Sequence, residues 1–148
     1  MAYTNALSAY RETRIKTASQ GQLIVVLYDE AVKNLDRGLE LLSTGQNGKQ
    51  DPGKIEQISK TVLKAQEIIT ELMVSLDFEQ GGEIAKNLFS LYTWFNQELL
   101  EANVRHDIRR ITIVRNMLNE LRGAWGEIAA KTAGENVSRP VAGLNIAG

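Results

Sequence analysis

The sequence has no cysteine and a single histidine, His106, in 148 residues. Without cysteine there can be neither disulfides nor thiolate metal ligands, which accords with a reducing compartment and makes the cytoplasm the expected location. With one histidine, a di-metal centre of the ferritin-like kind is excluded, because that site needs Glu-x-x-His pairs projecting from two helices, and Asn103 stands where the glutamate would be. His106 beside Asp107 reads as a surface residue at a helix entry. No metal, cofactor or catalytic group is expected, and the chain is not expected to be an enzyme.

Long hydrophobic runs are absent too. The most apolar stretch, Leu23 to Tyr28, is far shorter than the ~20 residues that span a bilayer. Met1 is followed by a polar stretch without an apolar signal core, so neither a signal peptide nor stable membrane insertion is expected. Charge of either sign is also lacking in excess, with 17 Lys and Arg against 18 Asp and Glu. Arg105, Arg109, Arg110, Arg115 and Arg122 enrich one segment, but Glu101, Asp107, Glu120 and Glu127 are interspersed, which describes a solvated face and no nucleic-acid footprint. The stretch GQNGKQ lacks the spacing and the Ser or Thr of a phosphate-binding loop. The Asn136 glycan-acceptor pattern has no secretory context.

What the sequence has is helical periodicity. Ser19-Gln20-Gly21-Gln22 forms a capping box, so a first long helix starts there, with Ile24, Tyr28, Ala31, Leu35 and Leu42 on one face. It stops in a Gly, Asn and Pro-containing loop, residues 43–54. Ile55, Ile58, Val62, Ala65, Ile69, Leu72 and Leu76 then alternate steps of three and four along a second helix. Gly81-Gly82 breaks the pattern. Ile84, Leu88, Leu91, Phe95 and Leu99 continue it in a third helix ending near Asn103, and Asp107 caps a fourth bearing Ile111, Val114, Leu118, Leu121, Trp125 and Ile128.

Four helices with short connections predict an all-α fold, an antiparallel up-and-down four-helix bundle with a short N-terminal arm or helix. Residues 1–131 are expected to form one domain, at a length that buries about 70% of the unfolded chain's surface. Residues 132–148 lack periodicity and are expected to be a flexible tail.

Apolar surface exceeds one seam on two helices: Leu63, Ile68 and Met73 widen the second stripe, and Phe89, Tyr92 and Trp94 the third. Either the core is wide, or part of the surplus is a groove for a partner's segment. The double glycine has two compatible readings. It lets the chain reverse between helices, and it leaves backbone uncovered for a partner, with Asp77 and Asn87 as polar anchors.

Three stretches carry a family likeness. Thr17 to Leu35 (TASQGQLIVVLYDEAVKNL), Lys64 to Asn103 (KAQEIITELMVSLDFEQGGEIAKNLFSLYTWFNQELLEAN) and Leu118 to Ile128 (LNELRGAWGEI) resemble the signature regions of the FliS family of flagellin-specific export chaperones. The likeness covers all four expected helices in order. It implies a four-helix bundle that binds the C-terminal segment of flagellin as extended stretches and short helices, prevents premature polymerisation in the cytoplasm, and assists delivery to the flagellar type III export apparatus through a gate component of the FlhA family. Taken with the surplus apolar surface, it implies that the client meets Ile68, Met73, Leu76, Asp77, Phe78, Ile84, Asn87, Leu88 and Tyr92. Leu7, Tyr10 and Ile15 lie in an N-terminal arm expected to be mobile and to dock on the bundle when no client is present, and the likeness implies a part for it in gate delivery. The alternative is a structural or self-assembling helical bundle without flagellin binding.

Overall fold

The computed structural model describes residues 20–44 and 52–138. The Ser19 cap, the arm residues Leu7, Tyr10 and Ile15, and the last ten residues expected in the tail lie outside the described residues. Four helices are formed: α1 (Gln20–Ser43), α2 (Pro52–Val74), α3 (Phe78–Arg105) and α4 (Ile108–Ser138). No strand occurs among the described residues, and the fold is an all-α four-helix bundle.

The described residues divide into two compact units, those within 27–120 and residues 20–26 together with 121–138. In the larger unit all four helices contribute to one core. Tyr28 and Leu35 from α1, Ile58, Ile68 and Ile69 from α2, Tyr92, Phe95 and Leu99 from α3, and Ile111 and Leu118 from α4 are all excluded from solvent. Consecutive helices run antiparallel here. Gly38 approaches Thr61 while Lys54 bonds Thr44 across α1 and α2, and Gln66 bonds Asn96 while Asn103 bonds Ser59 across α2 and α3. Arg110 of α4 reaches back to Glu98 of α3 at 2.8 Å, and Arg115 holds Asp36 of α1 at 2.7 Å.

In the smaller unit Leu23 of α1 and Ala129 of α4 are buried. A Cβ added to Gly21 would lie 3.2 Å from the Ala129 Cβ, so two small residues let the backbones come close. That contact corrects the α4 stripe. Ile128 was expected on it but is 51% exposed, and the buried position is the neighbouring Ala129, because steps of four continue from Trp125 along the face that meets Gly21.

The boundary between α2 and α3 differs from expectation. The chain leaves α2 after Val74 and turns through Ser75, Leu76 and Asp77, well before the double glycine. The turn is made by side chains that satisfy helix ends. Ser75 Oγ donates to the Leu72 carbonyl at 2.9 Å, and the Asp77 carboxylate accepts from the amides of Glu79 and Gln80 at 3.1 and 3.0 Å. Gly81-Gly82 lies inside α3, which kinks at Gly82, where φ is 51° and ψ is −123°. The glycines therefore mark a sharp break between the first turn of α3 and its long remainder, and the break lets the Phe78 ring come back against Phe89.

The other helix ends follow from their caps. α3 runs past Asn103 to Arg105, and His106 ends it in the left-handed region at φ 54°, donating its amide to the Ala102 carbonyl. Asp107 caps α4 as expected, its Oδ1 accepting from the Arg110 amide at 3.2 Å. α4 continues to Ser138, past the expected boundary at Lys131, through a stretch supplied with good helix formers at Ala129, Ala130 and Ala133.

Candidate functional site

The nine expected client contacts divide by burial. Ile68 is 0% and Tyr92 2% exposed, so both belong to the core and present no surface to a partner. At Ile68 the widened stripe on α2 belongs to a wide core, since the residue is fully buried. Tyr92 is held further by its hydroxyl, which shares a hydrogen bond with the hydroxyl of Tyr28. Burial pushes the Tyr92 phenol above its ordinary pKa, and the hydrogen bond from Tyr28 opposes that shift.

Met73, Leu76 and Leu88 are half-buried. Asp77 is exposed, but its carboxylate is committed to the N-terminus of α3, which makes its first duty structural. Asn87 is exposed. Phe78 and Ile84 are 47% and 70% exposed, a large apolar display for two residues so close along the chain.

The structure adds residues to this region. Val74, the last residue of α2, is 73% exposed, and the ring of Phe89 packs edge-on against Phe78 with centroids 5.9 Å apart. Both rings remain nearly half exposed, so their mutual contact does not bury them. Val74, Phe78, Ile84 and Phe89 thus leave apolar surface in water around the α2 to α3 turn and the Gly82 kink. Phe89 belonged to the surplus read from the sequence. Val74 had no signal beyond its position one residue off the stripe.

A second feature lies along the outer α2 to α3 seam. Gln66 Nε2 donates to the Asn96 carbonyl at 3.1 Å, Asn96 Nδ2 to Thr70 Oγ1 at 3.3 Å, and Asn103 Nδ2 to Ser59 Oγ at 3.3 Å. Leu63 of α2 and Leu100 of α3 stand half exposed in the interval between these polar rungs. The Asn96 Oδ1 atom is buried and has no hydrogen-bond partner among the described residues.

No group of three or more His, Asp or Glu side chains among the described residues could hold a metal ion. No described helix is long and apolar enough to cross a membrane.

The family model described as flagellar protein FliS matches residues 3–132. A flagellar secretion chaperone FliS of Salmonella typhimurium is 36% identical over 122 residues, covering 82% of this chain and 85% of that protein. The Escherichia coli flagellar secretion chaperone FliS is 33% identical over 78% of this chain and 80% of its own length. That of Bacillus subtilis is 25% identical over 84% and 86%. A match that runs through all four helices, on a bundle with apolar side chains left in solvent, assigns the chain to the FliS family of flagellar secretion chaperones.

Proposed function

We propose that this protein is a cytoplasmic export chaperone for flagellin: it binds flagellin's C-terminal segment, keeps it from polymerising prematurely, and assists its delivery to the flagellar type III export apparatus, where an FlhA-family gate component receives the complex. The observation that carries this reading is the exposed set Val74, Phe78, Ile84 and Phe89 on a chain of this family. Apolar side chains left in water have a favourable partner in a segment that is itself apolar on one side and unfolded when free. Of the expected contacts, Phe78, Ile84, Met73, Leu76 and Leu88 form the binding surface, Asn87 supplies a polar contact at its edge, and Asp77 acts by holding the turn.

Co-purification with a flagellin C-terminal fragment tests the proposal. Wild-type protein should emerge as a one-to-one complex. Replacing the exposed Ile84 and Phe89 together by serine should abolish that complex while leaving the melting temperature within a few degrees, since neither side chain is in the core. Concentration-dependent homo-oligomers with no retained fragment would instead favour a self-assembling bundle.

A further inference from the structure

Asn96 of α3 carries an unsatisfied polar atom. Its Oδ1 is a buried acceptor with no partner among the described residues, on a seam where Gln66 and Asn103 both donate across to the facing helix. Its amide nitrogen is held only loosely, by Thr70 Oγ1 at 3.3 Å and by the weak acceptor Met73 Sδ at 4.0 Å. The Thr70 hydroxyl hydrogen is already spent on the Gln66 carbonyl at 2.9 Å, so Thr70 accepts from Asn96 and cannot serve its oxygen. A buried acceptor without a donor is costly, and the side chain gains by finding one.

We infer that Asn96 is the specificity-determining residue of the outer α2 to α3 seam, its amide turning outward to accept a backbone N–H from an extended stretch of the bound segment. The inference rests on the client-binding reading above. An extended stretch is the matching occupant because its backbone N–H groups are free, whereas those inside a helix are already spent on carbonyls four residues back. Leu63 and Leu100, 50% and 52% exposed beside the polar rungs, offer apolar contact to the side chains flanking that N–H. The seam therefore favours a segment that presents a free backbone donor between apolar residues, and disfavours one already wound into helix.

The test is a titration of the full-length protein and its Asn96→Leu variant with a synthetic flagellin C-terminal peptide, alongside their melting temperatures. Leucine removes the unpartnered oxygen while keeping the branch at Cγ, and the half-buried site leaves room toward solvent for its larger methyl groups, so the variant should stay folded, yet bind the peptide about tenfold more weakly. If leucine cannot be packed, Asn96→Ala carries the same binding comparison. A scan of the peptide by single backbone N-methylation should then find one position that weakens binding to wild type and leaves binding to the variant unchanged. Equal affinity of wild type and variant overturns the inference, as does a scan without such a position. A stable wild-type protein that binds no peptide overturns the client-binding reading itself, and this inference with it.

Discussion

Gly38 of α1 sits so close to Thr61 of α2 that a Cβ on the glycine would lie 2.8 Å from the threonine Oγ1. Thr61 cannot easily give way, since it is buried and its hydroxyl donates to the Ile58 carbonyl at 2.7 Å. Gly38→Ala should therefore destabilise the protein by about 1–3 kcal/mol through overpacking, despite the gain of roughly 1 kcal/mol that alanine brings to a helix interior. Thr61→Ala removes the clashing atom. Chemical denaturation of both single variants and the double variant should show the double to be more stable than the sum of the singles predicts. Strict additivity would mean that the helices separate without resistance at this point.

The Gly82 kink gives a second expectation of a different physical kind. At φ 51° the residue sits where a side chain is strained, yet a Cβ would meet nothing within 4 Å. Gly82→Ala and Gly82→Asn should each cost about 1–3 kcal/mol from backbone conformation alone, because φ 51° with ψ −123° lies outside the left-handed helical region that asparagine tolerates, in the mirror-β region that glycine alone enters readily. Thermal melts of the two variants check that both lie below wild type. Alanine as stable as glycine would show that α3 straightens without loss.

Much of the bundle was legible because its core follows helical spacing: Tyr28, Ala31 and Leu35, then Ile58, Val62, Ala65, Ile69 and Leu72, lie buried where the periodicity puts them. The break expected at Gly81-Gly82 is present at Gly82, but the turn out of α2 starts earlier, because Asp77 caps an extra first turn by satisfying two amides that glycine cannot. Within the candidate site, hydrophobicity could not separate Ile68 and Tyr92, which fill the core, from Phe78 and Ile84, which face water. That distinction depends on which helices pack against each face. The unpartnered Asn96 oxygen had no sequence signature, since hydrogen-bond satisfaction is settled only when α2 and α3 are brought together.

The buried Tyr92 phenol sets a pH dependence. Its pKa in the folded protein is raised, chiefly by burial, above the 10.0 of an exposed phenol. Above that pH the unfolded chain releases the proton while the folded chain retains it, so the unfolded state binds fewer protons and stability falls as pH rises. Stability associated with this group is fully present below about pH 10 and is lost progressively as pH climbs through the folded-state value. Denaturation midpoints measured between about pH 8 and 12 should fall more steeply for wild type than for Tyr92→Phe. Parallel curves would show that Tyr92 ionises as freely in the fold as in the unfolded chain.

The most direct test of the central claim, that apolar surface around the α2 to α3 turn wraps a flagellin segment, is calorimetry of full-length protein with the flagellin C-terminal peptide at several temperatures and salt concentrations. An unstructured segment that orders on this surface buries apolar area and loses chain entropy. Binding should be one-to-one, with a markedly negative heat-capacity change, an enthalpy offset by unfavourable entropy, and an affinity that moderate salt barely alters. A heat-capacity change near zero, or an affinity that collapses with moderate salt, would contradict the apolar wrap and turn attention to the arginine-rich stretch from Arg105 to Arg122.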